Sequence, residues 1–288
     1  MADSDSSKLS ITPSRDILDE LLSPIGAQDF FARIYGETYR HFHGDPGRFS
    51  NLLPWADLNS ILRRHRLDFP RLRLALNGEI ILPETYTERV AGRRSSPELR
   101  VEPLTAHLNR GANLIIESIE EVSDSVDELA RSLERKLFET VRVNAYASWS
   151  QIPGFDPHWD TTDVLVLQTS GVKRWKLYAP ERKWPMLRDV EPNMDPPSSA
   201  PTAEVSLSPG DVLYLPRGWW HSVNTQEAPS LHLAVGFTPR TGVDLLRCPF
   251  TGEQWSHVVA GVGSQGLPVR ALWMASMARM LWPRVLTR

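Results

Sequence analysis

In GFDPHWDTTDVLVLQTSGVKRWKLYAP, residues 154–180, a histidine and an aspartate stand two positions apart at the head of an apolar run, and a lysine follows after a glycine turn. Short apolar runs bounded by Gly, Ser and Pro are the pattern of β-strands. The stretch therefore reads as two strands, TDVLVLQTSG and KRWKLYAP, on either side of Gly171. Similar runs lie around it. VRVNAYAS (141–148), AEVSLSPGDVLYLPRG (203–218) and SLHLAVGF (230–237) have the same spacing, with Pro209-Gly210-Asp211 and Pro216-Arg217-Gly218 as turns at the two ends of one strand. Successive short strands of this kind predict an antiparallel double-sheet jelly roll or barrel over residues 136–240.

Side chains two apart on a strand share a face. His158 and Asp160 are thus expected to project together into the barrel, with Trp159 pointing away. His221, in DVLYLPRGWWHSV, lies just beyond a later strand and supplies a third ligand. Two imidazoles and a carboxylate on one side of a metal leave its other positions open, the facial arrangement of non-haem iron(II) oxygenases. His41, His43, His65, His107 and His257 lack this context and are read as ordinary core or surface histidines.

Residues 15–135 have a different texture. Ile17, Leu18, Leu21 and Leu22 form one helical face, and Phe30, Phe31, Ile34 and Tyr35 another. A short helix opens at Pro54 and runs through Leu62. RLRLALNGEIILP (71–83) predicts a hairpin turning at Asn77-Gly78, and SDSVDELARSLERKL (123–137) an amphipathic helix with Ser123 as N-cap. This part is a helical preface with short strands. Residues 1–14 are polar and Ser-rich and are expected to be disordered. Residues 241–288 are expected to form a helical C-terminal segment, with Val269, Trp273, Met277 and Met280 at helical spacing until Pro283, and a homodimer contact is a natural use for it.

Composition narrows the function classes. The 288 residues carry a formal net charge of -3, so no global basic field favours direct nucleic-acid binding. The single cysteine, Cys248, excludes an intrachain disulfide and a multi-thiolate zinc site. No apolar run is long enough to span a membrane, and the first residues lack the pattern of a secretory signal, so the expected location is cytoplasmic.

The segments PHWDTTDVLVLQTSGVKRWKLYAP, LSPGDVLYLPRGWWHSV and SLHLAVGF resemble the JmjC-type, cupin-fold 2-oxoglutarate oxygenases, within them the ribosomal oxygenase branch. DFFARIYGETYRHFHGDPGRFSNLLPWADLNSILRR (29–64) and GANLIIESIEEVSDSVDELARSLERKL (111–137) are similar to the helical preface of that branch, so the resemblance covers about Asp29 to Phe237. It implies a double-stranded β-helix whose cofactors are Fe(II), 2-oxoglutarate as cosubstrate, and O2. Its implied metal ligands are His158, Asp160 and His221. Lys173 falls on the family's basic residue for the distal carboxylate of 2-oxoglutarate, and Asn144 on an asparagine lining the cosubstrate pocket. His232 is a candidate for the substrate side of the barrel, and Trp159, Trp175, Trp219 and Trp220 for the pocket mouth.

The implied activity is hydroxylation of a side chain in a protein or peptide, with histidine or arginine as first guesses and a ribosomal protein or modified peptide as carrier. Two departures separate chemistry from substrate. The branch continues into a winged-helix domain that this sequence lacks, and SWSQIPGFD (148–156) stands where relatives carry a Thr-Pro-Pro-Gly-Ser-like loop. A small-molecule hydroxylase of the same chemistry is therefore an alternative. So are a metal cupin without cosubstrate, which commonly has a His-x-His pair and a glutamate, and a non-catalytic cupin binding module.

Overall fold

Strand alternation explains the architecture. In the computed structural model, which describes residues 16–89, 97–186, 189–190 and 195–237, the central strands are buried on both faces. These strands are β7 (Val141–Ser148), β8 (Asp163–Tyr178), β10 (Val212–Leu215) and β11 (Trp220–Phe237). Val143, Ala145 and Ala147 of β7, Leu165 and Leu167 of β8, Val212 and Tyr214 of β10, and Leu231, Leu233, Val235 and Phe237 of β11 enter one large core. The same core receives Ile17, Leu18 and Leu21 of α1 (Ile17–Leu21), Phe30 of α2 (Gly26–Arg33), Leu58 and Ile61 of α3 (Trp55–Arg64), and Val126, Leu129 and Leu133 of α5 (Asp124–Leu137). Helices cover the outer face of the sheet. Each fully buried Leu or Phe there stabilises the fold by about 1.5–3 kcal/mol, so Leu165→Ala would cost about 2–5 kcal/mol.

The intervening residues face the other way. Val164 and Val166, Trp175 and Leu177, Leu213 and Leu215, and Trp219 form a second apolar cluster with Val205 and Leu207 of β9 (Ala203–Leu207). Asn144, Tyr146, Lys173, His232 and Ala234 share that inner side, along a cavity of about 1070 Å³.

All strand pairs are antiparallel, in the order β1-β10-β8-β11-β7-β6-β2-β3, with β9 also on β8. Here β1 is Arg40–Phe42, β2 Leu72–Leu76, β3 Glu79–Ile80 and β6 Asn113–Ile116. The mainly β, double-stranded β-helix fold with N-terminal helices is the one expected. Within residues 15–135, the strands β1, β2, β3 and β6 join the same sheet as the strands of 136–240, one at one edge and three at the other. Periodicity does not reveal such pairing, because strand partners are set by register across the fold. The 71–83 hairpin forms as read, with Asn77 and Gly78 at φ 51° and 84°.

Three local readings are corrected. The two strands on either side of Gly171 are one 16-residue strand, β8. Gly171 sits at φ 65°, and a Cβ there would lie 2.5 Å from the carbonyl oxygens of Glu227 and Pro229, so it allows a bend with close backbone approach and does not end the strand. SLHLAVGF is likewise the second half of a strand that begins at Trp220, so His221 lies inside β11 near its start. Ser123 occupies the N-cap position of α5, but its hydroxyl makes no capping bond and lies 3.3 Å from the Ser125 hydroxyl.

No helix among the described residues is long and apolar enough to cross a membrane. The expected disordered start, the C-terminal helix with its dimer contact, Cys248 and His257 lie outside the described residues.

Candidate metal and cosubstrate site

His158 and Asp160 do not begin a strand. They lie on an irregular stretch before β8, anchored by a single two-residue bridge in which His158 N donates to His221 O (3.1 Å) and His221 N donates to His158 O (2.8 Å). Gly218 N donates to Asp160 O at 2.9 Å, so the Pro216-Arg217-Gly218 turn fixes the third member. The strand argument for the pair therefore fails locally, yet the backbone bridge brings the same three residues together. Ligand atoms of His158, Asp160 and His221 lie within 4.8 Å of one another. His221 Nε2 is 3.7 Å from Asp160 Oδ2, and the two imidazole rings are 4.5 Å apart.

Both rings are held in one tautomer. His158 Nδ1 lies 2.8 Å from Asp156 O and His221 Nδ1 lies 3.1 Å from Trp219 O. A carbonyl only accepts, so each Nδ1 carries the proton and each Nε2 keeps its lone pair for a metal. Burial, followed by the neighbouring His158, lowers the His221 pKa to about 4 despite the opposing carboxylate of Asp160. At neutral pH the ring is already in its ligating form. The donor set fits a divalent transition metal with open positions.

The loop before the ligands is propped from the preface. Asn77 N and Gly78 N, at the tip of the β2–β3 hairpin, donate to Pro153 O (2.9 Å) and Gly154 O (3.1 Å). A Cβ on Gly78 would lie 2.4 Å from Asp156 Oδ2.

Lys173 is 4% exposed and lines the same cavity as the three ligands. Its ammonium donates to Ser148 Oγ at 3.1 Å, and Ser148 Oγ in turn donates to Asn113 Oδ1. Asn113 Nδ2 donates to Ile152 O at 3.1 Å, which ties the relay to the loop before His158. Burial pushes the Lys173 pKa down to about 7, and no carboxylate among the described residues offsets that effect. An ammonium without an anion in a closed site is costly, and an arriving carboxylate would relieve it. Arg174 points outward and is exposed, as alternation requires.

The remaining wall is aromatic and polar. Tyr146 and His232 stack at 4.9 Å with ring planes 4° apart, and Trp175 meets His232 edge-on at 5.7 Å. Burial and then the Asp160 carboxylate raise the Tyr146 hydroxyl to about 12, against the lowering effect of its hydrogen bond with Asn144, so it stays protonated. Burial, then Lys173 and His221, hold the His232 pKa well below its usual value, and its Nδ1 is buried without a hydrogen-bond partner among the described residues. Asn144 Oδ1 accepts from Ser118 N at 3.1 Å.

A family model described as JmjC domain matches residues 117–245. Residues 117–245 are thus similar to a JmjC domain. The chain's curated relatives include two proteins called bifunctional lysine-specific demethylase and histidyl-hydroxylase NO66. The one from Drosophila pseudoobscura pseudoobscura is 27% identical over 231 residues, and the one from Drosophila melanogaster 29% over 234 residues. Each alignment covers 78% of this chain but 23% and 34% of the relative, so the chain spans about a third or less of their length. A structure of YcfD, a ribosomal oxygenase from Escherichia coli, in complex with cobalt and 2-oxoglutarate, superposes with a TM-score of 0.50 at 18% identity. That match covers 82% of this chain and 56% of the YcfD chain and speaks to the fold alone.

Within the matched residues the structure places His158, Asp160, His221, Lys173, Asn144 and His232 around one cavity. Trp175 lines it as well, whereas Trp159 is half-buried and lies off its wall. Trp219 and Trp220 are buried, Trp219 in the second apolar cluster. Sequence reasoning missed Tyr146, Ser148 and Asn113. Tyr146 and Ser148 were within reach, because they alternate with Ala145 and Ala147 on the face of Asn144. Asn113 was not, because β6 meets β7 only through the tertiary fold.

Proposed function

We propose that this chain is an Fe(II)- and 2-oxoglutarate-dependent oxygenase that hydroxylates a side chain of a protein or peptide. The observation that carries the reading is Lys173, a buried ammonium with no carboxylate partner among the described residues, in the same cavity as a His-Asp-His cluster. A dicarboxylate with one end at the metal ligands needs such a counter-charge at its other end.

Iron and 2-oxoglutarate, when bound, supply with O2 the oxidising power to insert oxygen into a C–H bond, with succinate and carbon dioxide as coproducts. The protein's part is placement. His158 Nε2, His221 Nε2 and an Asp160 carboxylate oxygen would hold the metal from one side. Lys173, steadied by Ser148, would donate to the far carboxylate of the cosubstrate. Val164, Val166, Trp175 and Ala234 form an apolar wall that limits water in the reacting region. The Tyr146 hydroxyl, fixed as a donor, and Asn144 are placed to orient a polar substrate group.

The relatives' names, histidyl-hydroxylase and ribosomal oxygenase, support a protein substrate, with histidine or arginine as the first residues to test and a ribosomal protein or modified peptide as carrier. The test is succinate formation from 2-oxoglutarate by the full chain with Fe(II) under air, first without substrate and then with panels of ribosomal-protein peptides and free amino acids. Turnover stimulated by a peptide, with a mass gain of one oxygen on it, supports the reading. Stimulation by small molecules alone moves the substrate class. No succinate, from protein shown to hold iron, removes the cosubstrate chemistry.

A further inference from the structure

His41 of the edge strand β1 and His43 just past its end face each other, while Phe42 between them is 2% exposed in the core. The register Arg40↔Tyr214, Phe42↔Val212 puts Asp211 opposite the next residue, His43. We propose that His41, His43 and Asp211 form a second transition-metal site, for Zn(II), that ties β1 to the turn preceding β10.

The geometry is that of a site in waiting. His41 Nε2 is 3.0 Å from Asp211 Oδ2, His43 Nδ1 is 3.6 Å from Asp211 Oδ1, and the two rings are 4.1 Å apart. One ligand atom from each residue lies within 4.8 Å of the other two. The carboxylate is oriented by backbone amides, with Gly44 N donating to Oδ1 (3.1 Å) and Ser208 N to Oδ2 (3.0 Å). Each oxygen keeps a lone pair after those bonds. Amides that hold a ligand in place are the outer-shell support metal sites use.

His41 supplies the independent observation. Its Nε2 is shielded from solvent and lies 3.0 Å from Asp211 Oδ2, a contact off the line of a regular hydrogen bond, with no other partner among the described residues. A metal ion accepting the lone pair of that nitrogen, with the carboxylate as its co-ligand, would satisfy both groups. His43, with 84% of its side chain exposed, leaves the site open to solution.

Two imidazoles and one carboxylate suit a borderline ion better than magnesium or calcium, and three protein ligands with a water complete the tetrahedron that zinc prefers. Arg48 opposes a dication here. Its guanidinium reaches Gly210 O (3.5 Å) and interacts with Asp211 as well as Glu20, which weakens the site for a cation.

The site is separate from the cavity. None of its three residues lines the cavity wall. The four residues of β10, about 13 Å of extended chain, separate Asp211 from the turn that bonds Asp160. Among the described residues, the three-residue strand β1 joins the sheet through β10 alone, so a metal clasp there would fix the sheet's edge.

The experiment counts zinc bound per chain by equilibrium dialysis against Zn(II) alone and follows thermal unfolding. His158→Ala/His221→Ala in the full chain disables the first cluster. That variant is expected to keep one zinc and to melt higher with zinc than without. Adding His43→Ala, an exposed change, is expected to leave metal-free melting unaltered and to weaken zinc binding by more than the ~10–100-fold that loss of an outer-shell partner costs. His41→Gln is expected to act in the same way on zinc. Absence of zinc from the double variant, or zinc retained after both His41→Gln and His43→Ala, overturns the proposal. A wild-type chain holding one zinc that only His43→Ala removes would uphold this site and count against the oxygenase reading.

Discussion

His158 and His221 exchange both backbone hydrogen bonds, at 3.1 and 2.8 Å, although 62 residues separate them in the chain and His158 belongs to no strand. The bridge, and not the imidazoles, sets their separation. Replacing a ring should therefore leave the scaffold in place. His158 is half-buried, so His158→Ala is expected to cost about 1 kcal/mol or less, a melting shift of about 2–4 °C for a chain of this size. Iron binding and 2-oxoglutarate turnover should fall by more than ~100-fold, since losing a ligand exceeds the outer-shell effect. The readout is the weak visible absorption of the iron and 2-oxoglutarate chelate in an anaerobic titration. An unchanged band in His158→Ala would dismiss the cluster as the metal site.

Lys173 makes stability depend on pH. The unfolded chain keeps that proton to about 10.5, while the folded chain releases it near 7. Between those values unfolding takes up a proton, so stability of the ligand-free protein rises with pH by up to ~1.4 kcal/mol per unit and is lowest, and flat, below 7. Lys173→Met should flatten that rise. A carboxylate partner reverses the shift, so 2-oxoglutarate binding at pH 8 should draw in close to one proton, measurable by calorimetry in buffers of different ionisation enthalpy. Proton uptake that persists in Lys173→Met would assign the effect elsewhere.

Ser148 Oγ is the hydrogen-bond partner of the Lys173 ammonium at 3.1 Å. Ser148→Ala removes a bond worth about 0.5–1.5 kcal/mol, so the KM for 2-oxoglutarate should rise by ~2–13-fold while kcat stays within a factor of about two. Steady-state kinetics at saturating iron decide it. A fall in kcat at unchanged KM would place Ser148 in the reaction and not in cosubstrate anchoring.

Gly78 lies outside the cavity but supports it. Its φ of 84° disfavours any side chain, and a Cβ would strike Asp156, the residue whose carbonyl orients His158. Gly78→Ala should destabilise the protein by about 1–3 kcal/mol and weaken iron binding by ~10-fold or more, as loss of outer-shell support does. Melting curves and metal titration of the same sample separate the two effects. Weakened folding with normal iron affinity would show that the hairpin does not position the ligand loop.

The Asp163–Tyr214 pair shows the limit of the sequence pattern. Tyr214 donates to Asp163 Oδ1 at 2.5 Å and accepts from Gly36 N at 2.8 Å, joining three distant segments inside the core. In sequence Tyr214 reads only as an apolar strand residue and Asp163 as a strand start. The same limit applied to Asn113 and to the His41, His43 and Asp211 cluster, whose histidines were read as ordinary because nothing nearby in sequence marks Asp211 as their neighbour.

The sequence by itself determined the β-rich core and its helical preface, because period-two alternation and turn chemistry are local properties of the chain, whereas Lys173 was named from a family resemblance and His158 and Asp160 from a strand that does not form. Tertiary structure decided what locality does not encode. The single bridge between His158 and His221 replaced the expected strand, Gly171 became a bend inside β8, and the hairpin at Gly78 came to support a loop 76 residues later. Each is a contact between segments far apart in sequence, fixed by packing the whole sheet and not by the residues beside it.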